Sequence, residues 1–159
     1  MRLTERSLKK EQLSEHFTLW EYAYSHLLDN ITLYPEEPLL SMQIALARWH
    51  ANHLAEPIRA LAGRPVKVAG IRNEELYYKM KEIGLPASRT SDHFYLNPFW
   101  QFGVGAGDLS IIPCPSWSKE ELRQKTWEVF LKAKEILRGQ YGQIIFYHDT
   151  PFIHISNPP

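Results

Sequence analysis

The last third of the chain does most to narrow the choice of fold. Trp117-Ser118-Lys119-Glu120-Glu121-Leu122 carries a capping box with its hydrophobic staple, so a helix begins at Ser118. Gly139 supplies the stop expected at its C-terminal end. Gln143-Ile144-Ile145-Phe146-Tyr147 and Phe152-Ile153-His154-Ile155 then read as two strands. Only His148-Asp149-Thr150-Pro151 separates them, a tight connection that pairs them as an antiparallel hairpin. A helix that runs into a hairpin must cover one face of it, which points to helix packed on sheet.

The rest of the chain extends this pattern. Phe17-Thr18-Leu19-Trp20-Glu21-Tyr22 holds another capping box, Thr18 with Glu21, and a staple, Phe17 with Tyr22. A short helix is predicted from Thr18 to about His26. Leu39, Met42, Leu46, Trp49, Leu54, Ile58 and Leu61 recur with helical period between Pro38 and Gly63, and Pro57 can kink that helix. Pro65-Val66-Lys67-Val68-Ala69-Gly70-Ile71 alternates as a strand, and Asn73 caps a helix over Glu74 to Ile83. Residues 85–106 look irregular, and Asp108-Leu109-Ser110-Ile111-Ile112 reads as a further strand. The expected class is α+β, with N-terminal helices and a small, mostly antiparallel sheet backed by the helix from Ser118. The charged residues 1–12 are expected to fray, and residues 13–159 to form a single domain.

Composition excludes several classes of function. Lysine plus arginine number 18, equal to aspartate plus glutamate, so no overall charge draws the chain to nucleic acid or an anionic membrane. No window approaches the ~20 apolar residues of a membrane span. The N-terminal segment lacks the apolar core of a signal peptide, so the chain is expected in the cytoplasm as synthesised. A monomer is expected. The single cysteine, Cys114, cannot form an internal disulfide and reads as a turn thiol in Pro113-Cys114-Pro115.

Three residues are unusual where they stand. His93 lies in an irregular stretch, Asp108 follows Gly105-Ala106-Gly107 at the mouth of a strand, and His154 interrupts an apolar strand. Two imidazoles and a carboxylate can make a tetrahedral zinc site that leaves one position open to water. Read alone, each also has an ordinary role, as a core or edge histidine or as a turn aspartate. His50 and His53 share a helix face, but no acidic residue completes a second metal site, so ordinary helix histidines are expected. The aromatic cluster at residues 94–102 has no basic stripe beside it and reads as a cleft wall or core rather than a base-stacking surface.

The order of the motifs carries a resemblance. Ser91-Asp92-His93, then Ala106-Gly107-Asp108, then Phe152-Ile153-His154-Ile155-Ser156 resemble the scattered zinc-binding pattern of the D-alanyl-D-alanine carboxypeptidase family. That family includes peptidoglycan endopeptidases of phages and has a Hedgehog-like peptidase fold. Leu13-Ser14-Glu15-His16-Phe17-Thr18-Leu19-Trp20-Glu21 is similar to the opening of its cell-wall members. Val66-Lys67-Val68-Ala69-Gly70-Ile71-Arg72-Asn73 resembles its strand ending in a substrate-binding arginine, and Gln143-Ile144-Ile145 the strand before the last ligand.

The resemblance implies a zinc peptidase that cuts an amide bond in peptidoglycan stem peptides. His93, Asp108 and His154 would hold Zn2+. Arg72 would hold a substrate carboxylate or carbonyl. Ser91 would support the site or touch substrate. A phage product released to the cell wall would fit this activity.

Two departures qualify what is implied. The family spacing between its first histidine and its aspartate is shorter, and residues 95–102 here form an insertion, expected as an aromatic flap at the cleft rim. The family's acidic general base falls at a position that here is Pro151, leaving Asp149 and His148 as candidates if the turn bulges inward. If neither reaches, the alternative is an inactive member of the fold that serves as a cell-wall or phage binding module.

Overall fold

The computed structural model of the chain describes residues 2–96 and 103–159. It has an α+β fold. Helices α1 (Glu5–Lys10), α2 (Leu19–Ala23), α3 (Leu39–His50) and α4 (Glu56–Ala62) come first, with a two-stranded hairpin, β1 (Tyr24–Ser25) and β2 (Asn30–Ile31), after α2. Strands β3 (Val66–Ala69), β4 (Ala106–Ile111), β5 (Ile144–Tyr147) and β6 (Phe152–Ser156) form one sheet in the order β3-β4-β6-β5, every pair antiparallel. Helix α5 (Glu74–Glu82) follows β3 and helix α6 (Lys119–Ile136) follows β4.

Local signals set most of these boundaries. The Thr18 and Ser118 capping boxes form, and the Phe17 and Tyr22 rings meet edge-on at 6.3 Å. The Asn73 side chain accepts the Leu76 N–H and caps α5. Gly63 closes α4 at φ 64°, where a Cβ would be strained. The long helix predicted across residues 39–61 is divided by a π-helical segment, Ala51–Ala55. Pro57 sits in the first turn of α4, directly after that π-helical segment.

Three expectations are corrected. Residues 2–12 do not fray: Thr4 and Ser7 form a capping box on α1, and Leu8 is fully buried in the core. Burying one leucine side chain is worth about 2 kcal/mol, enough to dock a two-turn helix whose isolated form is marginal. The second helix ends at Ala23, before His26, because Tyr24 and Ser25 turn into β1. Tyr95 is no part of a rim flap: it is fully buried and its hydroxyl donates to the Ala106 carbonyl at 2.6 Å. Residues 97–102 of that insertion lie outside the described residues.

The period of two along the strands gives the sheet two unlike faces. Val66, Val68, Leu109, Ile111, Ile153 and Ile155 join the core with Val129, Phe130 and Ala133 of α6. Trp127 and Phe130 also pack on Phe146, with ring centroids 5.3 and 5.9 Å away. The alternate residues Lys67, Ala69, Asp108, Ile145 and His154 occupy the opposite face, with Asp108 directly across from both Ala69 and His154.

Gly107 sits where the core-facing side of β4 meets α3. A Cβ there would lie 2.6 Å from the His50 ring and 3.0 Å from Val68. Gly107→Ala is expected to lower stability by about 1–3 kcal/mol through overpacking. A thermal melt within a degree of the parent would contradict this close approach.

Candidate metal centre

Three elements that are remote in sequence deliver the cluster. Asp108 comes from β4 and His154 from its neighbour β6, opposed in register on the face away from the core. His93 comes from the irregular segment after α5. That segment is tied to the end of β3: the Arg72 N–H donates to the His93 carbonyl at 2.7 Å, and His93 Nδ1 lies 2.7 Å from the Gly70 carbonyl.

The side chains converge on one point. His93 Nε2 is 3.1 Å from Asp108 Oδ1 and 3.2 Å from His154 Nδ1, and His154 Nδ1 is 2.9 Å from Asp108 Oδ1. His93 is buried, and His154 is 8% exposed. Ligands held about 2.0–2.1 Å from a tetrahedral ion stand roughly 3.3 Å apart, slightly wider than this triangle.

The proton inventory also fits a cation. The Gly70 carbonyl accepts only a proton, so neutral His93 carries its hydrogen on Nδ1 and turns the Nε2 lone pair to the shared point. Asp108 likewise offers lone pairs. One proton at most, on His154 Nδ1, is then left to serve three close contacts. The cluster can therefore hold a metal ion.

Electrostatics prepare the same donor set. Burial pushes the His93 imidazole pKa down, against the pull of Asp108, which keeps the ring neutral and able to ligate. Burial alone would raise the Asp108 carboxyl, but the His93 and His154 imidazoles outweigh it and hold the group well below the ordinary carboxylate range. Arg72 adds a guanidinium 3.8 Å from Asp108 Oδ2.

Two cavities meet at this cluster, and Arg72, His93 and Asp108 line both. The larger, about 970 Å³, also reaches Ser91, Asp92 and His154. Ser91 Oγ accepts the His93 N–H at 3.3 Å and so braces the ligand-bearing turn.

The two candidates for a general base are not brought to the cluster. The His148 ring lies edge-on to Phe146 at 4.8 Å, on the α6 side of the sheet. Strand alternation causes this: His148 stands two residues beyond Phe146 and six before His154, but β5 and β6 present Ile145 and His154, not Phe146, to the cleft. Asp149 is exposed in the turn, and neither cavity is lined by it.

Asp92 is the carboxylate that sequence reasoning passed over. Its Oδ2 lies 3.9 Å from His154 Nε2, and it lines the larger cavity. Its place beside His93 was the available signal.

His50 was read as an ordinary helix histidine, and half of that pair departs from it. His53 stacks on Trp49 at 4.3 Å near the surface. His50 is fully buried, with Nδ1 2.6 Å from the Tyr22 hydroxyl and Nε2 2.9 Å from the Ile155 carbonyl. It clamps α3 to β6, the strand that carries His154. Cys114 is half-buried in its turn.

No protein-family model, curated protein or solved structure matches the chain. Among the described residues no helix is long and apolar enough to cross a membrane.

Proposed function

We propose that this protein is a zinc-dependent peptidase that hydrolyses an amide bond in peptidoglycan stem peptides, of the D-alanyl-D-alanine carboxypeptidase type. One observation carries the reading: His93 Nε2, Asp108 Oδ1 and His154 Nδ1 stand within 3.2 Å of one another at the junction of two cavities. Nitrogen and oxygen donors in a three-residue set suit zinc with an open fourth position. A bound zinc ion supplies a water of pKa about 7 and polarises a carbonyl beside it.

The chain's own groups divide the remaining work. Arg72 lines both cavities and would hold a carboxylate or carbonyl of the peptide. Asp92 takes the acid-base role that His148 and Asp149 are turned away from. In the reaction, water oxygen bonds to the amide carbon and the carbon–nitrogen bond breaks. The water proton passes through the Asp92 carboxylate to the departing amine.

Asp92→Asn is accordingly expected to retain about one zinc per chain while amide hydrolysis falls about 10²–10⁴-fold. Release of new amino groups from purified cell walls measures the activity. Unchanged release in the variant would remove Asp92 from the mechanism.

The position of Pro151, with His148 on the far face, favours a second reading. In it the chain is an inactive member of the fold that binds cell-wall peptide within a wall or phage assembly. Binding to purified walls with no amino groups released by the zinc-loaded parent would establish that reading over the first.

A further inference from the structure

The smaller of the two cavities, about 450 Å³, shares Arg72, His93 and Asp108 with the larger one but is not lined by Asp92 or His154. Its floor includes Arg72 and Asp108, and its walls include Trp20, Tyr24, Leu27 and Met80. Trp20 and Tyr24 stack at 4.2 Å with planes 12° apart and form one aromatic unit of the wall, with Lys9 Nζ 5.3 Å from the Trp20 ring centroid. Local structure holds that wall rigid. Trp20 lies in the capped helix α2, Tyr24 opens the β1–β2 hairpin, and the Tyr24 hydroxyl donates to Asp29. Leu27 is 39% exposed on the turn of the same hairpin.

Two cations, Arg72 and Lys67, and the carboxylates Glu21 and Asp108 line this cavity beside its largely apolar walls. The Arg72 side chain is 20% exposed, and its guanidinium stands 3.8 Å from Asp108 without a hydrogen bond to it. A carboxylate on Arg72 places whatever is attached to it against Trp20, Tyr24 and Leu27. The methyl group of an alanine would leave most of that volume to water, although pockets of this size ordinarily bury most of a ligand.

We propose that this cavity is a subsite for a bulky apolar or aromatic group attached to the carboxylate that Arg72 holds. On that side of the metal centre the protein then selects a residue larger than alanine. The proposal keeps the amide hydrolysis of the peptidase reading and rests on it for the position of the scissile bond, but it replaces the D-alanine beside that bond with a larger residue; the binding step needs no metal. Each methylene buried is worth about fourfold in affinity, so a phenyl ring in this site gains tens of fold over a methyl.

The test is a titration of 3-phenylpropionate against propionate, followed by tryptophan fluorescence, on the chelator-treated and the zinc-loaded protein. The expected result is binding at least about thirtyfold tighter for 3-phenylpropionate in both forms. Leu27→Glu, a change at an exposed position, reduces that ratio to below about threefold, and Arg72→Gln weakens both acids together. A parent ratio below about threefold, or a ratio unmoved by Leu27→Glu in a variant with the parent's thermal melt, overturns the subsite. The two readings fail separately. Selective binding without any amide hydrolysis leaves the subsite and removes the peptidase. Hydrolysis of D-alanine-ended peptides without selective binding does the reverse.

Discussion

Replacing His154 with alanine is expected to empty the metal centre. Zinc should fall from about one ion per chain to less than about a tenth after dialysis against the free metal, and amide hydrolysis should fall at least about 10³-fold. The size of the effect follows from the ligand count. In the proposed zinc site three protein groups would hold the ion, His154 Nδ1 lies within 3.2 Å of both others, and two remaining donors would not retain zinc against water. The substitution is made on the sheet face away from the core, so the fold should persist, with a circular dichroism spectrum like the parent's. Protein purified without an affinity tag gives the cleanest reading by elemental analysis. A His154→Ala variant that still carries one zinc per chain would place the ion elsewhere and remove the basis of the proposed hydrolysis.

The second large effect is on folding and comes from His50. Burial lowers its pKa from 6.5 to about 4, because the charged ring would lose its hydration between α3 and the sheet. In the unfolded chain the same ring takes up its proton near pH 6.5. Above pH 6.5 both states are neutral and the native state has its full stability. As pH falls from 6.5 to about 4, the unfolded state binds a proton that the folded state refuses, and stability is lost. The loss amounts to roughly 3 kcal/mol and levels off below the folded pKa.

His50→Leu separates this contribution from those of other groups. At pH 7 the variant leaves the Tyr22 hydroxyl and the Ile155 carbonyl without their partner and should be about 2–4 kcal/mol less stable than the parent. It has no proton to refuse, so its deficit should shrink by roughly 3 kcal/mol between pH 7 and pH 4. Urea denaturation of both proteins with chelator present at several pH values measures the deficit. A deficit that stays constant across that range would show that His50 does not titrate with folding.

What could be read in advance depended on the range of the interaction involved. The capping boxes at Thr18 and Ser118 and the cap at Asn73 lie within a few residues of what they bind, and each helix starts where its box predicts. The β5–β6 hairpin follows from a four-residue connection. The candidate trio His93, Asp108 and His154 came from the order of short motifs, and the fold brings those three side chains together. Residues whose roles depend on distant partners were misread or missed. Leu8 lies among charged residues and looks frayed until the core that covers it exists. His50 resembles His53 in sequence, yet only His50 faces β6, a strand formed about a hundred residues later in the chain. Asp92 is unremarkable beside His93 until β6 places His154 3.9 Å from it.

By itself, then, the sequence determined the class of fold, most element boundaries and the three residues of the candidate metal centre, all through local contacts or ordered motifs. The tertiary structure alone decided which carboxylate faces the cleft. Strand alternation sends Phe146 toward α6 and His154 to the opposite face, and His148 packs beside Phe146 on the far side of the sheet. No neighbour in sequence specifies which face of the sheet the helices will cover. That depends on where the apolar side chains of α3, α4 and α6 are finally buried.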